Sequence, residues 1–487
     1  MSANALPVSA DEYLRFLPEI ILSIAGTLLM ILEPLTGAGK KNALAGLTFI
    51  AFVGALAAAI CANSSPGTAF SGLLVVDGYG TLFRALVIVV GALTVFLSNP
   101  FLNREGANSG EYYALVLFSV VGQCVMVTAN DLIMVFIGLE ISSIASYVLA
   151  GYLRDDPRAN ESALKYFLLG SFATAFLLYG VAMTYGATGS TNLSRIRAIV
   201  SSGDAAPSTM LMGIAAALMM VGFGFKVSAA PFQMWAPDVY QGAPTPVTAF
   251  LSAGPKAAAF AVFLRVFLTA FRPIGETWEP LVWISALLSM TIGNFAALSQ
   301  TNVKRMLAYS SIAHAGYVLV AITARSEDGV AAAMFYLAAY VLMNIGAFAV
   351  VGHISGKGEK RLEIEDLSGL GVAQPMTAAA LSIFLLSLIG APLTGGFFGK
   401  FYIFKAALES KLVWLAALGL LNSAVAAYYY LRILVVMYMQ EPGPAVSDLP
   451  PLPMGLKAAL IAPAVGVLLL GIFPAILLEF AIRSAKL

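Results

Sequence analysis

Charge is what this sequence has least of. Of its 487 residues only 11% are Asp, Glu, Lys or Arg, against 60% hydrophobic, whereas a soluble domain carries about 25% charged side chains. A water-facing surface cannot be built from that supply, so the composition selects a polytopic membrane protein. A net charge of +1 gives no sign of a nucleic-acid surface. Cysteine is nearly absent: Cys61 and Cys124 sit in separate apolar runs and read as small core residues, with no disulfide framework or metal spacing. His314 and His353 are too far apart in span order for paired haem ligation. The chain has no Walker-type phosphate loop, no dinucleotide fingerprint after a strand and no cysteine cluster for an iron–sulfur centre. Redox chemistry by this chain alone is therefore excluded. The opening stretch MSANALPVSADEYLRFLPEI lacks a basic leader and an A-x-A cleavage site, so its first apolar run is expected to remain as a helix.

Long hydrophobic runs fill the space that charge leaves. A span needs about 20 predominantly apolar residues, and about fourteen stretches qualify. They are 16–35, 42–62, 77–98, 111–128, 131–153, 160–188, 209–240, 245–271, 279–299, 304–324, 330–354, 373–408, 411–439 and 456–482. Glycine, proline and asparagine clusters punctuate them. No connection is long enough for a soluble domain, so a site for a large soluble cofactor must lie on another chain. Lysine and arginine favour the odd-numbered connections, which hold Lys40, Lys41, Arg104, Arg154, Arg158, Lys304, Arg305, Lys357, Lys360 and Arg361. The even-numbered ones hold Arg195, Arg197, Arg272, Arg325 and Lys411. That bias predicts cytoplasmic odd connections and outward-facing termini.

Two stretches, 209–240 and 373–408, are expected to break. The first carries Lys226 into APFQMWAPDVYQGAPTP; the second reaches Lys400 through GAPLTGGFFGK. Broken backbone at membrane depth survives only inside protein or against a water-filled cavity, and paired broken helices mark an ion or substrate path. The lysines are 400 − 226 = 174 residues apart, an offset that also carries Glu140 onto His314. Local echoes, S-S-I-A near 142 and 311 and Y-V-L near 147 and 317, prefer slightly shorter offsets. With an odd number of helices per repeat, the second copy is expected to be inverted. The fold expected is thus all-α and polytopic, with about 14 transmembrane helices and two inverted five-helix repeats, each holding a broken helix. Its divisions would be 1–110, 111–275, 276–440 and 441–487.

A charge at mid-membrane costs about 2.5–3.5 kcal/mol on insertion scales, so it needs a partner or a task. Six groups stand out. Glu140 is either a clamp between helices, a proton site or the counter-charge of Lys226. Lys165, near a helix start, either snorkels to the interface or modulates Lys226. Lys226 either forms a structural ion pair or exchanges protons. Lys256 follows Gly254-Pro255, where a bend is expected to open a water cavity. His314 is either a hydrogen-bonded core residue or a relay. Lys400 repeats Lys226. Together they have the composition of a proton relay. Lys405 and His353 are read as interfacial, and Arg265 as an anchor near the far interface. Glu19, Glu33, Arg84 and Arg432 are read as interface anchors or subunit contacts.

The stretch KVSAAPFQMWAPDVYQGAPTPVTAFLSAGPKAAAF (226–260) resembles the antiporter-like subunits of respiratory NADH:quinone oxidoreductase, or complex I. FIGLEISSIASYVLAGY, NVKRMLAYSSIAHAGY and GAPLTGGFFGKFYIF are similar to the same family, and the likeness runs from about residue 10 to the end. Lys400 and the chain length match the N type; the M type usually has glutamate at the second break, and the L type is longer. The resemblance implies proton transfer by Glu140, Lys165, Lys226, Lys256, His314 and Lys400, driven by quinone reduction elsewhere. It implies no cofactor or metal in this chain, with NADH, FMN, iron–sulfur clusters and quinone on other subunits. The partners implied are a neighbouring antiporter-like subunit M, the small subunits K, J and A, and lipids, in a bacterial inner membrane with periplasmic termini. Two other readings stay open: a subunit of a related sodium/proton antiporter, and a structural membrane subunit whose charges only pair.

Overall fold

The computed structural model describes residues 9–37, 41–203 and 206–486. Lys40 and the first eight residues of the opening stretch lie outside them. The first helices are α1 (Ala10–Arg15), α2 (Leu17–Leu32) and α3 (Lys41–Ala62), followed by a hairpin of β1 (Gly67–Ala69) and β2 (Leu74–Val76). Then come α4 (Gly78–Glu105), α5 (Gly110–Thr128), α6 (Leu132–Ala150), α7 (Pro157–Thr188), α8 (Leu193–Val200), α9 (Thr209–Val227), α10 (Trp235–Gly242) and α11 (Thr245–Thr269). The rest is α12 (Gly275–Leu298), α13 (Val303–Thr323), α14 (Glu327–Ile354), α15 (Leu370–Ala373), α16 (Pro375–Ile389), α17 (Gly395–Glu409), α18 (Val413–Met439), α19 (Pro444–Ser447), α20 (Met454–Ile472) and α21 (Ala475–Ser484). Among the described residues twelve helices are long and apolar enough to cross a membrane, and two shorter apolar ones, α2 and α16, fall in the first and twelfth expected stretches.

The centre of the bundle is decided by which helices are apolar all round. In α11, α13 and α14, 94% of the most hydrophobic window is buried, against 39% in α7, α18 and α20. The three enclosed helices carry Lys256, His314 and Tyr336, so these polar groups lie deep in protein rather than against lipid.

Both expected breaks exist. After Lys226, Ser228 takes a left-handed conformation (φ 60°) and closes α9, and the chain turns through Pro231 before α10 begins. After α16, Gly390 (φ 94°) caps the helix, and α17 starts at Gly395. The next residue, Gly396, packs so tightly on the Ser387 carbonyl that no Cβ fits there. The expected final span is interrupted too: α20 ends at Ile472, and Pro474 separates it from α21.

A repeated bridge gives the internal register that local wording left open. The Asp131 and Asn192 backbones pair, and so do Asn302 and Glu363, an offset of 302 − 131 = 363 − 192 = 171. Flanking hydrogen bonds repeat at the same spacing, Leu132 N–H to the Thr191 carbonyl and Val303 N–H to that of Leu362. Asp131 and Asn302 each cap the helix that follows. With this register Glu140 falls on Ser311 and His314 falls on Ser143, which corrects the 174-residue alignment. The lysine spacing misled because Lys226 precedes its break and Lys400 follows its own.

Other expectations also change. Cys124 is buried, but Cys61 is exposed on α3. Arg265 is no interface anchor: it is buried and forms two hydrogen bonds to Asp77, at 2.8 and 2.9 Å, where that carboxylate caps α4. Glu19 and Arg84 form a fully enclosed ion pair at 2.9 Å. Lys304, counted with the basic connections, is buried on Glu359 at 3.0 Å and on the Ala243 carbonyl at 2.6 Å, tying α13 to the start of α11.

Candidate proton-transfer site

The helix breaks set the positions of two amines. Lys226 lies in the last turn of α9. Lys400 lies beyond its break, in α17, but its Nζ reaches back to the Leu388 and Ile389 carbonyls at 3.0 and 2.8 Å, the last turn of α16. The Lys400 ammonium therefore sits at the C-terminal end of α16, where unpaired carbonyls and the helix dipole favour a cation, whereas the Lys226 amine reaches across to α6. Ser423 completes the Lys400 site at 2.8 Å, with the Tyr317 ring 4.8 Å from the amine. A cavity of about 450 Å³, lined by Lys400, Ser423 and the side chains of Phe397, Phe401 and Phe404, opens beside it.

Among the described residues Lys226 has no ion-pair partner. Its amine donates to Ser143 Oγ at 2.7 Å and Tyr147 OH at 3.2 Å, between the rings of Tyr147 and Tyr166 at 5.1 and 5.4 Å. Glu140 is on the same face of α6, one turn before Ser143. Among the described residues it forms no ion pair, and its Oε1 is enclosed without a hydrogen-bond partner. The amine is thus held by neutral groups.

Lys256 is 2% exposed, and α11 runs as one helix with Pro255 inside it. Its Nζ donates to the Ser311 carbonyl at 2.9 Å and to the Ser311 hydroxyl. One turn along α13, His314 Nδ1 meets Tyr336 OH and its Nε2 meets Tyr430 OH at 3.1 Å, while Tyr430 also bonds Ser310. Behind α6, Gln123 donates to Ser119 at 3.1 Å, and Ser119 lies 3.1 Å from Ser142 and 3.2 Å from Ser146. The Gln123 carbonyl oxygen has no partner and faces Gly254, where a Cβ would come within 2.7 Å of it. This cluster carries polar groups from α6 towards the helix that bears Lys256.

Lys165 is placed apart from these groups. It is 41% exposed, on Glu161 at 2.7 Å and Asp238 at 2.8 Å, and Asp238 also holds Arg305 at 2.8 Å. His353, in the last turn of α14, is buried and lies 3.1 Å from Gln374 Oε1. Lys405 is exposed on Glu409, as an interfacial residue would be. The partners Ser143, Tyr147, Ser311, Tyr336, Tyr430 and Ser423 were missed in the sequence. The serines had one signal, the echoed Ser-Ser pairs at 142–143 and 310–311, which mark the lysine-holding face of each copy.

A helical bundle with paired half-helices and an enclosed amine at each break is an antiporter-like membrane protein. The family model described as NADH:quinone oxidoreductase/Mrp antiporter, TM, matches residues 129–426. The chain is 66% identical to NADH-quinone oxidoreductase subunit N 1 of Solibacter usitatus over 484 residues, covering 99% of each. It belongs to the subunit N family of NADH-quinone oxidoreductases. Its structure is similar to a chain of respiratory complex I from Thermus thermophilus solved with bound aureothin (TM-score 0.81, 35% identity, 95% of this chain and 98% of that one). A chain of the Mrp complex from Dietzia shares the fold (TM-score 0.84, 22% identity, 98% and 97% covered).

Proposed function

We propose that this chain is a proton-translocating membrane subunit of NADH:quinone oxidoreductase, one part of a multi-subunit complex in a bacterial membrane. The observation that carries the reading is the pair of enclosed amines, Lys256 and Lys400, on either side of His314. Both are held by serine and backbone oxygens, and neither has a carboxylate partner among the described residues. An amine held only by neutral oxygens can release its proton without leaving a bare carboxylate behind, which a structural ion pair cannot do.

Protons pass among Lys226, Lys256 and His314 and leave by way of Lys400. Ser142, Ser146, Ser119 and Gln123 supply polar groups between the first two, and Tyr430 and Tyr336 orient the imidazole. Glu140 is the switch. An opposite charge strengthens a lysine's hold on its proton and its withdrawal weakens it, and Lys226 can be held by Ser143 or drawn one turn back to Glu140. Quinone reduction in other subunits drives the exchange. Moving one charge against 100 mV takes about 2.3 kcal/mol, and a two-unit change in a lysine's proton affinity is about 2.7 kcal/mol, so the scale suffices.

The test uses the whole complex in liposomes. Lys256→Ala and Lys400→Ala are expected to lower protons moved per NADH oxidised while the complex still assembles. Wild-type pumping by both would overturn the reading. Pumping that needs sodium in the medium would favour a sodium/proton antiporter subunit instead.

A further inference from the structure

A cavity of about 540 Å³ lies between the C-terminal ends of α4 and α14 and the start of α20, away from the lysine series. Its rim carries Arg104, Lys357, Lys360 and Arg361, and no aspartate or glutamate lines it. Glu105 neutralises Arg104 at 3.2 Å and accepts from the Gly358 N–H at 3.0 Å, while Glu359, between the two lysines in sequence, points inward to Lys304. Lys357 and Lys360 are exposed and form no ion pair among the described residues. The Arg104 fork is fixed in place, donating to the Gly352 carbonyl and to Ser355 Oγ, both at 3.1 Å. Below this rim the wall is apolar, built from Leu97, Phe101, Phe348 and Leu456. Further along α20, Ile461, Val465 and Leu469 are exposed.

We propose that this cavity binds an anionic phospholipid, its phosphodiester among Lys357, Lys360 and Arg361 and its acyl chains along the apolar wall and the outer face of α20. Lys357, Lys360 and Arg361, none with a carboxylate partner among the described residues, call for an anion. The apolar wall selects an anion carrying hydrocarbon over free phosphate. Basic pockets between membrane helices hold anionic lipid head groups in this way, and arginine and lysine divide the work as fork and point charge. The Gly-Lys-Gly-Glu-Lys-Arg connection (356–361) thus has a task distinct from orienting the chain.

The test is photolabelling of the intact, delipidated complex with phosphatidylglycerol that carries a diazirine on one acyl chain, followed by peptide mapping. Label is expected in segments 97–104 and 453–469 of this chain, several-fold above that from a phosphatidylcholine probe with the same chains. Unlabelled phosphatidylglycerol should suppress it, and inorganic phosphate at equal concentration should not. In a Lys357→Gln/Lys360→Gln variant it should fall several-fold; both residues are exposed and unpaired, so the fold does not depend on them. Equal labelling by phosphatidylcholine, absence of label, suppression by phosphate or unchanged labelling of the variant would each overturn the proposal.

Discussion

Lys256 donates to both oxygens of Ser311, and the same turn of α13 presents His314 to Tyr336 and Tyr430. One serine therefore sets the position of an enclosed amine relative to the imidazole next in the series. Loss of its hydroxyl leaves the amine only a carbonyl.

Ser311→Ala is accordingly expected to weaken proton transfer more than it weakens the fold. A hydrogen bond to a charged group contributes about 1.5–3 kcal/mol, roughly ten- to a hundredfold in the charged-to-neutral balance of the amine. Protons moved per NADH should drop several-fold with the complex present in normal amount, and Ser311→Thr should restore them. Unchanged pumping by the alanine variant would remove Ser311 from the path.

At Lys226 the ring and the hydroxyl of Tyr147 can be separated. Tyr147→Phe keeps the aromatic face and loses one acceptor, a cost of about 0.5–1.5 kcal/mol. Tyr147→Ala loses the cation–π contact too, worth about 2 kcal/mol when desolvated. Coupled turnover should be nearly retained in the first and reduced about tenfold or more in the second. If both variants are equally impaired, the ring has no part in holding the amine.

The clamp between Asp77, just before the α4 span, and Arg265 predicts a pH dependence. Burial pushes the Asp77 carboxyl up, but the Arg265 charge and its hydrogen bonds, with the Gly80 N–H, outweigh it and hold the group below the usual carboxylate range. Its stabilisation is therefore fully present above about pH 3.9, the unfolded value, and is lost as pH falls through the lower folded value. Asp77→Asn should lower thermal stability by a similar amount at every pH from about 5 to 8, on the order of 3 kcal/mol for a pair broken on one side. The gap to wild type should close only in acid. A gap that changes between pH 5 and 8 would assign the effect to another group.

The sequence by itself determined that this chain crosses a membrane many times, that two of its helices break, and which charges lie at depth. It could do so because insertion of a charge or a proline into an apolar run is costly wherever it happens, so the signal is local. Glu140, Lys226, Lys256, His314 and Lys400 were all visible as such interruptions. What surrounds each of them is a lateral matter, and only the tertiary structure decided it. Lys165 sits at a helix start like any buried cation, yet the turn of α10 brings Asp238 to it at a half-open surface. Arg265 has the spacing of an interface anchor, yet the start of α4 supplies it with a carboxylate. Lys226 and Glu140 share a site, but the amine rests on Ser143 because the pitch of α6 puts a hydroxyl within its reach. Periodicity states how far apart groups lie along one helix; which neighbouring helix faces them depends on how the whole bundle packs, and no single stretch of sequence contains that.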